Sequence, residues 1–265
     1  MSFARPTRLY AGYVFDLDGT VYLGEALLPG VRETIETLRA AGCRMVFVSN
    51  KPTDPRRVYA DKLTRLGLPT PVDHVINSSY VTVNYLRKMM PNARLFPIGE
   101  QPLLDELTAA GFELSETPGE IDVVIASFDR TFVYRKLQIA FDAIRAGARF
   151  IATNADPYCP VPGGGEPDAA CIIAAIEACT DHRVEQVLGK PSLIMAQTAL
   201  DVLGLPACEC IMVGDRLETD VPMGKAAGMA TALTLTGATT PEKLARSTIR
   251  PDFVLERLDQ LVPDA

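Results

Sequence analysis

Short apolar runs that stop at polar residues alternate along this chain with segments of helical periodicity. The first apolar run, at 13–15, ends at Asp16, and a glycine closes the helix predicted at 31–41. The second apolar run, at 44–48, ends at Ser49. Strands and helices in this order predict a parallel sheet covered by helices.

The same alternation continues along the rest of the chain, with a fresh start near 85–92. Further elements expected on either side of that middle stretch are a flap at 21–28, a helix from 53–55 to Gly67, a strand at 74–76 that stops at 77–79, helices at 192–203 and 221–227, strands at 210–213 and 230–235, and a tail with an edge strand and a short helix. The middle stretch predicts strands at 94–98, 123–126 and 150–152, helices at 102–110, 134–146 and 169–179, and a Pro/Gly-rich loop at 157–167. We therefore expect an α/β protein with a Rossmann-like parallel-sheet core at 1–82 and 179–265, and an inserted α/β cap at 83–178.

Composition is that of an ordinary globular protein. Of 265 residues, 48% are hydrophobic and 22% are charged, and the net charge is -7 with a pI near 5.0. This balance argues against nucleic-acid partners and anionic membrane surfaces. No apolar run approaches the ~20 residues of a membrane span, no apolar signal core is present, and the six cysteines have no metal-finger spacing. We therefore expect a cytoplasmic protein with reduced thiols.

The residues with candidate chemistry stand directly after predicted strands. Asp16 and Asp18 fit a cation-binding pair with one reactive carboxylate, and equally a strand end followed by an Asp-Gly turn. Taken alone, Lys190 is a solvated lysine, and Asp215 and Asp220 cap the helix that follows them.

The order of these groups along the chain favours chemistry. Ser49 and Asn50, which alone would form a capping turn, come between the acidic pair and Lys190, and a second acidic strand end follows. Phosphoryl transfer needs such parts, because positioning and positive charge do most of the work on a dianionic group. The sequence therefore predicts phosphoryl transfer.

Four stretches resemble the motifs of the haloacid-dehalogenase-like superfamily of phosphohydrolases. They are Asp16-Leu17-Asp18-Gly19-Thr20, Val48-Ser49-Asn50, Gly189-Lys190-Pro191 and Gly214-Asp215-Arg216-Leu217-Glu218-Thr219-Asp220. The branch that the chain resembles is the p-nitrophenyl phosphatase type, which implies a Mg²⁺-dependent phosphatase for a sugar phosphate or a similar small phosphate monoester. The short spacing between Asp16 and Ser49 has no room for a lid, so the lid is expected after Ser49.

The resemblance implies a role for each matching residue. Asp16 is expected to be the nucleophile that forms an aspartyl-phosphate, and Asp18 the acid for the leaving alkoxide and then the base for water. Mg²⁺ is expected on Asp16, on the main-chain carbonyl of Asp18 and on Asp215, and Lys190 is expected to add positive charge. Asp220 is expected to orient Lys190 or a metal-bound water rather than to bind the metal.

Substrate contacts are expected from both predicted domains. Ser49 is expected to hydrogen-bond the phosphate in catalysis. The substrate-binding candidates are Gly19, Asn50, Asn154, Asp156, Lys190 and Arg216. Asn154 and Asp156 belong to a polar loop that fits substrate recognition and equally a plain Asx turn. The expected partner is a small phosphorylated metabolite, with no nucleic acid and no membrane, and a homodimer is compatible with the sequence.

Several positions depart from the usual pattern of the branch. Lys51 stands where a second Asn is usual, Asp129 follows a cap strand that usually ends in glycine, and Asp168 is expected to be an N-cap. These changes leave the chemistry intact and the substrate open. Two alternatives remain at this stage: a phosphotransferase or phosphomutase with the same aspartyl-phosphate chemistry, and a non-catalytic α/β binding module.

Overall fold

The computed structural model describes residues 4–161 and 163–263. Its elements begin with β1 (Gly12–Asp16), β2 (Tyr22–Leu23), β3 (Ala26–Leu27), α1 (Val31–Ala40), β4 (Arg44–Ser49), α2 (Arg56–Arg65), β5 (Val75–Asn77) and α3 (Ser78–Met89). They continue with β6 (Leu95–Ile98), α4 (Gln101–Ala109), β7 (Val123–Ala126), α5 (Tyr134–Arg145), β8 (Arg149–Ala152), β9 (Tyr158–Val161), β10 (Gly164–Pro167) and α6 (Ala169–Thr180). They end with β11 (Gln186–Val187), α7 (Leu193–Leu203), β12 (Cys210–Gly214), α8 (Asp220–Ala227), β13 (Ala230–Thr234), α9 (Pro241–Arg246) and β14 (Phe253–Leu255).

The chain divides into two compact units. The first unit comprises Met1–Ser49, Arg56–Ile76 and Lys190–Ala265, and the second comprises Asn50–Pro55 and Asn77–Gly189. The domain boundaries expected from the sequence stay a prediction. No helix within the described residues is long and apolar enough to cross a membrane.

A six-stranded sheet with the order β14-β13-β12-β1-β4-β5 forms the first unit. Strand β1 is parallel to both of its neighbours, and Phe15 lies opposite Val213 of β12 and Phe47 of β4. The chain adds β4 and β5 on one side of β1, and later β12, β13 and β14 on the other side. In open α/β sheets, ligands bind at the carboxyl ends of the strands where the strand order reverses in this way.

Aromatic side chains hold the central strands of this sheet in place. The rings of Tyr13 and Phe15 stack at 5.8 Å, and those of Phe15 and Phe47 at 5.9 Å, with all three side chains fully buried. Burying an apolar side chain of this kind contributes about 1.5–3 kcal/mol. The strand ends at Asp16 and Ser49 therefore follow from well-packed strands.

The second unit contains a four-stranded parallel sheet with the order β11-β8-β7-β6. Strand β7 is buried along its whole length, as is usual for parallel strands. Isoleucines of the two following helices, Ile139 and Ile144 of α5 and Ile173 and Ile176 of α6, share a hydrophobic core with this sheet.

The predicted fold class, an α/β protein with parallel sheets, is confirmed. The loop predicted at 157–167 is wrong, because β9 and β10 form an antiparallel hairpin there. A two-stranded sheet consists only of edges, which tolerate proline, and Gly163 in the turn has a φ of +84° that glycine adopts without strain.

Helix α3 is missing from the prediction. Residues 77–79 were expected to be the polar end of a strand, but Ser78 and Ser79 belong to the first turn of this helix. The Asn77 side chain caps it by accepting a hydrogen bond from the Tyr80 backbone N–H at 3.0 Å. Polar residues after a strand can therefore form either a loop at the strand end or the first turn of a helix, and composition alone does not distinguish the two.

Candidate active site

Four buried charged side chains come together at the carboxyl edge of the first unit's sheet. Asp16 is the last residue of β1, and Asp215 follows directly after the neighbouring strand β12. Asp220 begins α8, and Lys190 precedes α7 by three residues. We call Asp16, Asp215, Asp220 and Lys190 the acidic cluster, and each is more than nine-tenths buried.

The Lys190 ammonium is shared between two carboxylates. Its Nζ donates to Asp16 Oδ1 and lies 2.8 Å from Asp220 Oδ1. Burial alone would lower the pKa of Lys190, but the charges of Asp16 and Asp220 outweigh burial and raise that pKa. Asp220 Oδ2 accepts a hydrogen bond from the Arg216 backbone N–H at 3.0 Å. The lysine is therefore charged and held beside Asp16.

Asp215 has one oxygen with a partner and one without. Oδ2 accepts a hydrogen bond from the Ala238 backbone N–H at 2.5 Å, whereas Oδ1 is buried with no hydrogen-bond partner among the described residues. Burial, and then the charges of Asp16 and Asp220, raise the pKa of Asp215 to about 8. Because a buried carboxylate is costly unless it is paired, the site favours a cation at Oδ1.

The donor atoms of the cluster also fit a divalent cation. Asp16, Asp215 and Asp220 each offer one carboxylate oxygen, and these oxygens lie within 4.8 Å of one another. Mg²⁺ takes oxygen ligands and usually binds through one or two carboxylates, with waters completing its coordination. Asp215 is better placed than Asp220 to bind the cation, because both Asp220 oxygens face protein donors, Lys190 and the Arg216 N–H, whereas Asp215 Oδ1 faces none among the described residues.

Glycines allow the backbone to pass close to these carboxylates. A Cβ built on Gly19, whose φ is +86°, would lie 2.6 Å from Asp215 Oδ2. A Cβ on Gly214 would lie 2.2 Å from Asp220 Oδ2. Both distances are too short for real atoms, so the acidic cluster requires glycine at these positions.

The turn after β1 carries the remaining core candidates. The Thr20 hydroxyl lies 3.4 Å from Asp16 Oδ2, and the Gly19 N–H donates to the Tyr22 carbonyl at 2.8 Å. Asp18 is half-buried in this turn. Ser49 is buried at the end of β4, one residue past the register pair of Asp16.

A second buried polar cluster lies in the second unit. We call Asn50, Asn154, Asp156 and Asp168 the amide–carboxylate cluster. Asp156 Oδ2 accepts from Asn50 Nδ2 at 2.9 Å and from Asn154 Nδ2 at 3.3 Å. Asn154 Nδ2 also donates to Asp168 Oδ1 at 3.1 Å, and Asn154 Oδ1 accepts from the Thr153 hydroxyl at 2.9 Å. Three predicted substrate-binding residues thus lie together, and their role stays a prediction.

Other side chains considered at the sequence level have structural partners. Asp168 caps α6 by accepting from the Ala169 backbone N–H at 2.5 Å, which confirms the expected N-cap. Asp129 accepts from Lys136 Nζ at 2.5 Å and from the Thr131 hydroxyl at 2.6 Å.

The turn at 236–239, which follows β13, was not expected to take part in the site. Within it, the Thr236 hydroxyl donates to the Gly19 carbonyl at 2.6 Å, and the Ala238 N–H binds Asp215. Its position in the sequence could have indicated this role, because the Thr-Gly-Ala-Thr stretch follows a strand that is parallel to β12 and therefore ends at the same edge of the sheet.

Comparison with known proteins identifies the family. The family described as haloacid dehalogenase-like hydrolase matches residues 13–113, and a second, HAD-hydrolase-like family matches residues 187–261. The chain is 41% identical over 248 residues to sugar-phosphatase AraL of Bacillus subtilis (strain 168), covering 94% of this chain and 90% of AraL. It is 34% identical over 279 residues to the chloroplastic phosphoglycolate phosphatase 1A of Arabidopsis thaliana, covering 96% of this chain and 77% of that protein.

A solved structure agrees with the sequence relatives. The crystal structure of 4-nitrophenylphosphatase from Thermotoga maritima matches with a TM-score of 0.91 at 38% identity, covering 95% of this chain and 96% of that chain. The predicted superfamily, its p-nitrophenyl phosphatase-type branch and the class of phosphoric monoester hydrolases are thereby confirmed. The chain belongs to the haloacid dehalogenase-like hydrolase family.

Proposed function

We propose that this chain is a Mg²⁺-dependent phosphatase that hydrolyses a small phosphate monoester through an aspartyl-phosphate on Asp16. The observation that carries the proposal is the acidic cluster, in which a lysine holds a strand-end carboxylate beside a buried oxygen of Asp215 that has no hydrogen-bond partner in the described part of the chain. An ion pair between Asp16 and Lys190 alone gives no reason to bury two further carboxylates next to it. A site that binds a cation and a phosphate group does give a reason to bury these carboxylates together.

Asp16 is the nucleophile in this proposal. Its oxygen forms a bond to phosphorus while the bond from phosphorus to the leaving alkoxide oxygen breaks. Water then attacks the phosphorus, which releases inorganic phosphate and restores the carboxylate. The Lys190 ammonium beside Asp16 orients this carboxylate and stabilises negative charge on the transferred oxygens.

Asp18 moves the protons. Its carboxyl group gives a proton to the leaving alkoxide in the first step and takes one from the attacking water in the second. Each turnover therefore ends with Asp18 protonated, as it began. Ser49, buried at the next strand end, donates a hydrogen bond to the phosphate before and during both steps.

Asp16, the main-chain carbonyl of Asp18, and Asp215 would hold the cation. When bound, Mg²⁺ supplies positive charge that neutralises the phosphoryl oxygens. Asp220 orients Lys190, which its Oδ1 faces at 2.8 Å.

We propose a sugar phosphate or a similar small phosphorylated metabolite as the substrate. The names of two relatives, a sugar phosphatase and a phosphoglycolate phosphatase, support this class. Residues 83–178 would form the cap that selects the substrate, with polar contacts from Asn154 and Asp156. Gly19, Asn50 and Arg216 complete the proposed substrate-binding set.

The proposal is tested by phosphate release from a panel of sugar, polyol, nucleotide and cofactor phosphates. We expect release with Mg²⁺, none in excess chelator, and recovery when Mg²⁺ is restored. Ca²⁺ should support little activity, because its looser coordination lets the nucleophile bind through both oxygens.

Full activity in excess chelator would contradict the metal assignment. A second measurement separates hydrolysis from phosphotransfer: the phosphate released is compared with the alcohol formed when glucose or glycerol is added as an acceptor. Equal amounts of the two products support a phosphatase. Alcohol in excess of phosphate would favour the phosphotransferase or phosphomutase.

A further inference from the structure

We infer that the turn at 236–238 is the positioning element of the metal site and makes Asp215 a one-oxygen ligand that favours Mg²⁺ over Ca²⁺. This inference rests on the proposed function. It concerns residues outside the four motifs, in a turn that follows β13.

The turn fixes the carboxylate of Asp215 from one side. The Ala238 N–H donates to Oδ2 at 2.5 Å, and a Cβ built on Gly237 would lie 2.0 Å from the same oxygen. Glycine at 237 is thus what lets the backbone come so close to the carboxylate. Oδ2 is therefore held by the backbone of the turn, and Oδ1 is the oxygen with no hydrogen-bond partner among the described residues.

The same turn also fixes the loop that carries Asp18. The Thr236 hydroxyl donates to the Gly19 carbonyl at 2.6 Å. A Cβ built on Gly19 would lie 3.1 Å from the Gly237 Cα, so the two backbones approach each other directly. One short turn therefore holds Asp215 and the peptide that follows the Asp18 carbonyl.

Holding both groups selects between cations. Mg²⁺ demands near-ideal octahedral geometry and few carboxylates, whereas Ca²⁺ accepts more oxygens and carboxylates bound through both oxygens. With Oδ2 taken by the Ala238 N–H, Asp215 offers one oxygen in a fixed direction. Releasing the turn should therefore weaken Mg²⁺ more than Ca²⁺.

The test is calorimetric titration of the full chain, without substrate, with Mg²⁺ and separately with Ca²⁺. Thr236→Val removes the hydroxyl and keeps the shape of the side chain. We expect its Mg²⁺ affinity to fall by about 10–100-fold, the usual cost of losing a group that orients metal ligands. Its Ca²⁺ affinity should fall less, and Thr236→Ser, which restores the hydroxyl, should bind Mg²⁺ nearly as wild type does.

Thr231→Val is the matched control. Thr231 lies on β13 and its hydroxyl donates to Asp252 Oδ2 at 2.7 Å, a bond similar to that of Thr236. This variant should lose thermal stability and keep the wild-type Mg²⁺ affinity. If Thr236→Val does not fold, Thr236→Ala provides the second variant without a hydroxyl.

The outcomes separate this inference from the proposed function. A wild-type chain that binds Mg²⁺, with Thr236→Val binding it equally tightly, overturns the inference alone. An equal loss of Mg²⁺ and Ca²⁺ affinity overturns the selectivity. A wild-type chain that binds no Mg²⁺ overturns the inference together with the metal in the proposed function, while phosphate release still reports on the phosphatase itself.

Discussion

The two units each contain a buried polar cluster, and the two clusters differ in the donors that face their carboxylates. The acidic cluster sets three carboxylates against one ammonium, and burial raises the pKa of Asp215 to about 8. In the amide–carboxylate cluster, the amides of Asn50 and Asn154 donate to Asp156, and Asn154 also donates to Asp168. The carboxylates of the second cluster therefore accept hydrogen bonds from amide groups, whereas Asp215 Oδ1 in the first cluster has no hydrogen-bond donor among the described residues.

Unpaired polar atoms follow the same division. Among the described residues, the buried side-chain atoms without a hydrogen-bond partner include Tyr22 Oη, Asp215 Oδ1 and Thr219 Oγ1, all in the first unit. Native proteins rarely leave buried polar groups unpaired, so such groups call for an explanation such as an ion, a water or a ligand. The unpaired Asp215 oxygen favours an ion or ligand at the acidic cluster, and the hydrogen bonds within the amide–carboxylate cluster favour a structural role there.

The largest expected effect is the loss of activity in Asp16→Asn, a variant of the acidic cluster. The amide has the shape of the carboxylate but cannot form the acyl phosphate, so we expect turnover to fall by at least about 10³-fold. Single-turnover and steady-state phosphate release measure this loss. Circular dichroism should show an intact fold, because Lys190 keeps its contact with Asp220. Activity within tenfold of wild type would mean that Asp16 is not the nucleophile.

The missing positive charge of the acidic cluster predicts stabilisation by metal. At a Mg²⁺ concentration of 100 times Kd, binding adds about 2.7 kcal/mol, which corresponds to a rise in Tm of about 5–10 °C. Differential scanning calorimetry with and without chelator measures the shift. Asp215→Asn should unfold at a temperature that no longer depends on Mg²⁺. A shift that survives in this variant would place the cation elsewhere.

Strand ends were the part of this site that the sequence could predict. Asp16, Ser49 and Asp215 follow apolar runs, and parallel strands bring their carboxyl ends to one edge whatever the loops do. The position of the turn at 236–239 after a strand could have been predicted, but its contacts with Gly19 and Asp215 could not, because they join residues far apart in the chain. No local pattern encodes such a pairing.

The sequence predicted the members of the amide–carboxylate cluster separately: Asn154 and Asp156 in a polar loop, Asn50 at a strand end and Asp168 as an N-cap. The sequence from 153 to 156 does not indicate that the Asn154 amide donates hydrogen bonds to Asp156 and Asp168. Asp156 is two residues from Asn154 and Asp168 is fourteen residues away. Asp168 is the N-cap of α6, so its position beside Asn154 depends on where that helix begins. Helix caps and turns share the same residue types, so their assignment needs tertiary contacts.

Asn154→Ala and Asp156→Ala test whether this cluster has a second role in substrate selection. Removing either side chain takes one hydrogen bond from each of its buried partners, at about 1–3 kcal/mol of stability. If the loop also recognises substrate hydroxyls, kcat/KM for the preferred sugar or polyol phosphate should fall by about 10–200-fold. The loss with p-nitrophenyl phosphate, which offers no such hydroxyls, should be much smaller.

Thr180→Val provides the control for stability. Its buried hydroxyl donates to the Ile176 carbonyl at 2.7 Å in α6, outside the cluster. This variant should lose stability with no change in the ratio of the two activities. Equal losses of both activities in the two variants would make Asn154 and Asp156 purely structural, and selectivity would then be sought at Ser127, Asp129 or Asp168.

The smallest expected effect comes from Tyr22→Phe, which removes an unpaired hydroxyl from the first unit. The Tyr22 side chain is fully buried, and burial followed by the charge of Asp18 raises the pKa of its hydroxyl, which therefore stays protonated. Because this hydroxyl has no hydrogen-bond partner within residues 4–161 and 163–263, its removal should stabilise the fold by about 1 kcal/mol. Tyr13→Phe is the matched control: the Tyr13 hydroxyl accepts from the Tyr10 backbone N–H at 3.1 Å, so its loss should destabilise the fold by a similar amount.

Urea unfolding measures the change in stability of both variants, and kcat measured on the same samples shows whether either hydroxyl also affects turnover. A Tyr22→Phe variant that is more stable but turns over more slowly would mean that the hydroxyl serves the acidic cluster at a cost in stability, whereas one that is less stable would mean that a buried water pairs it.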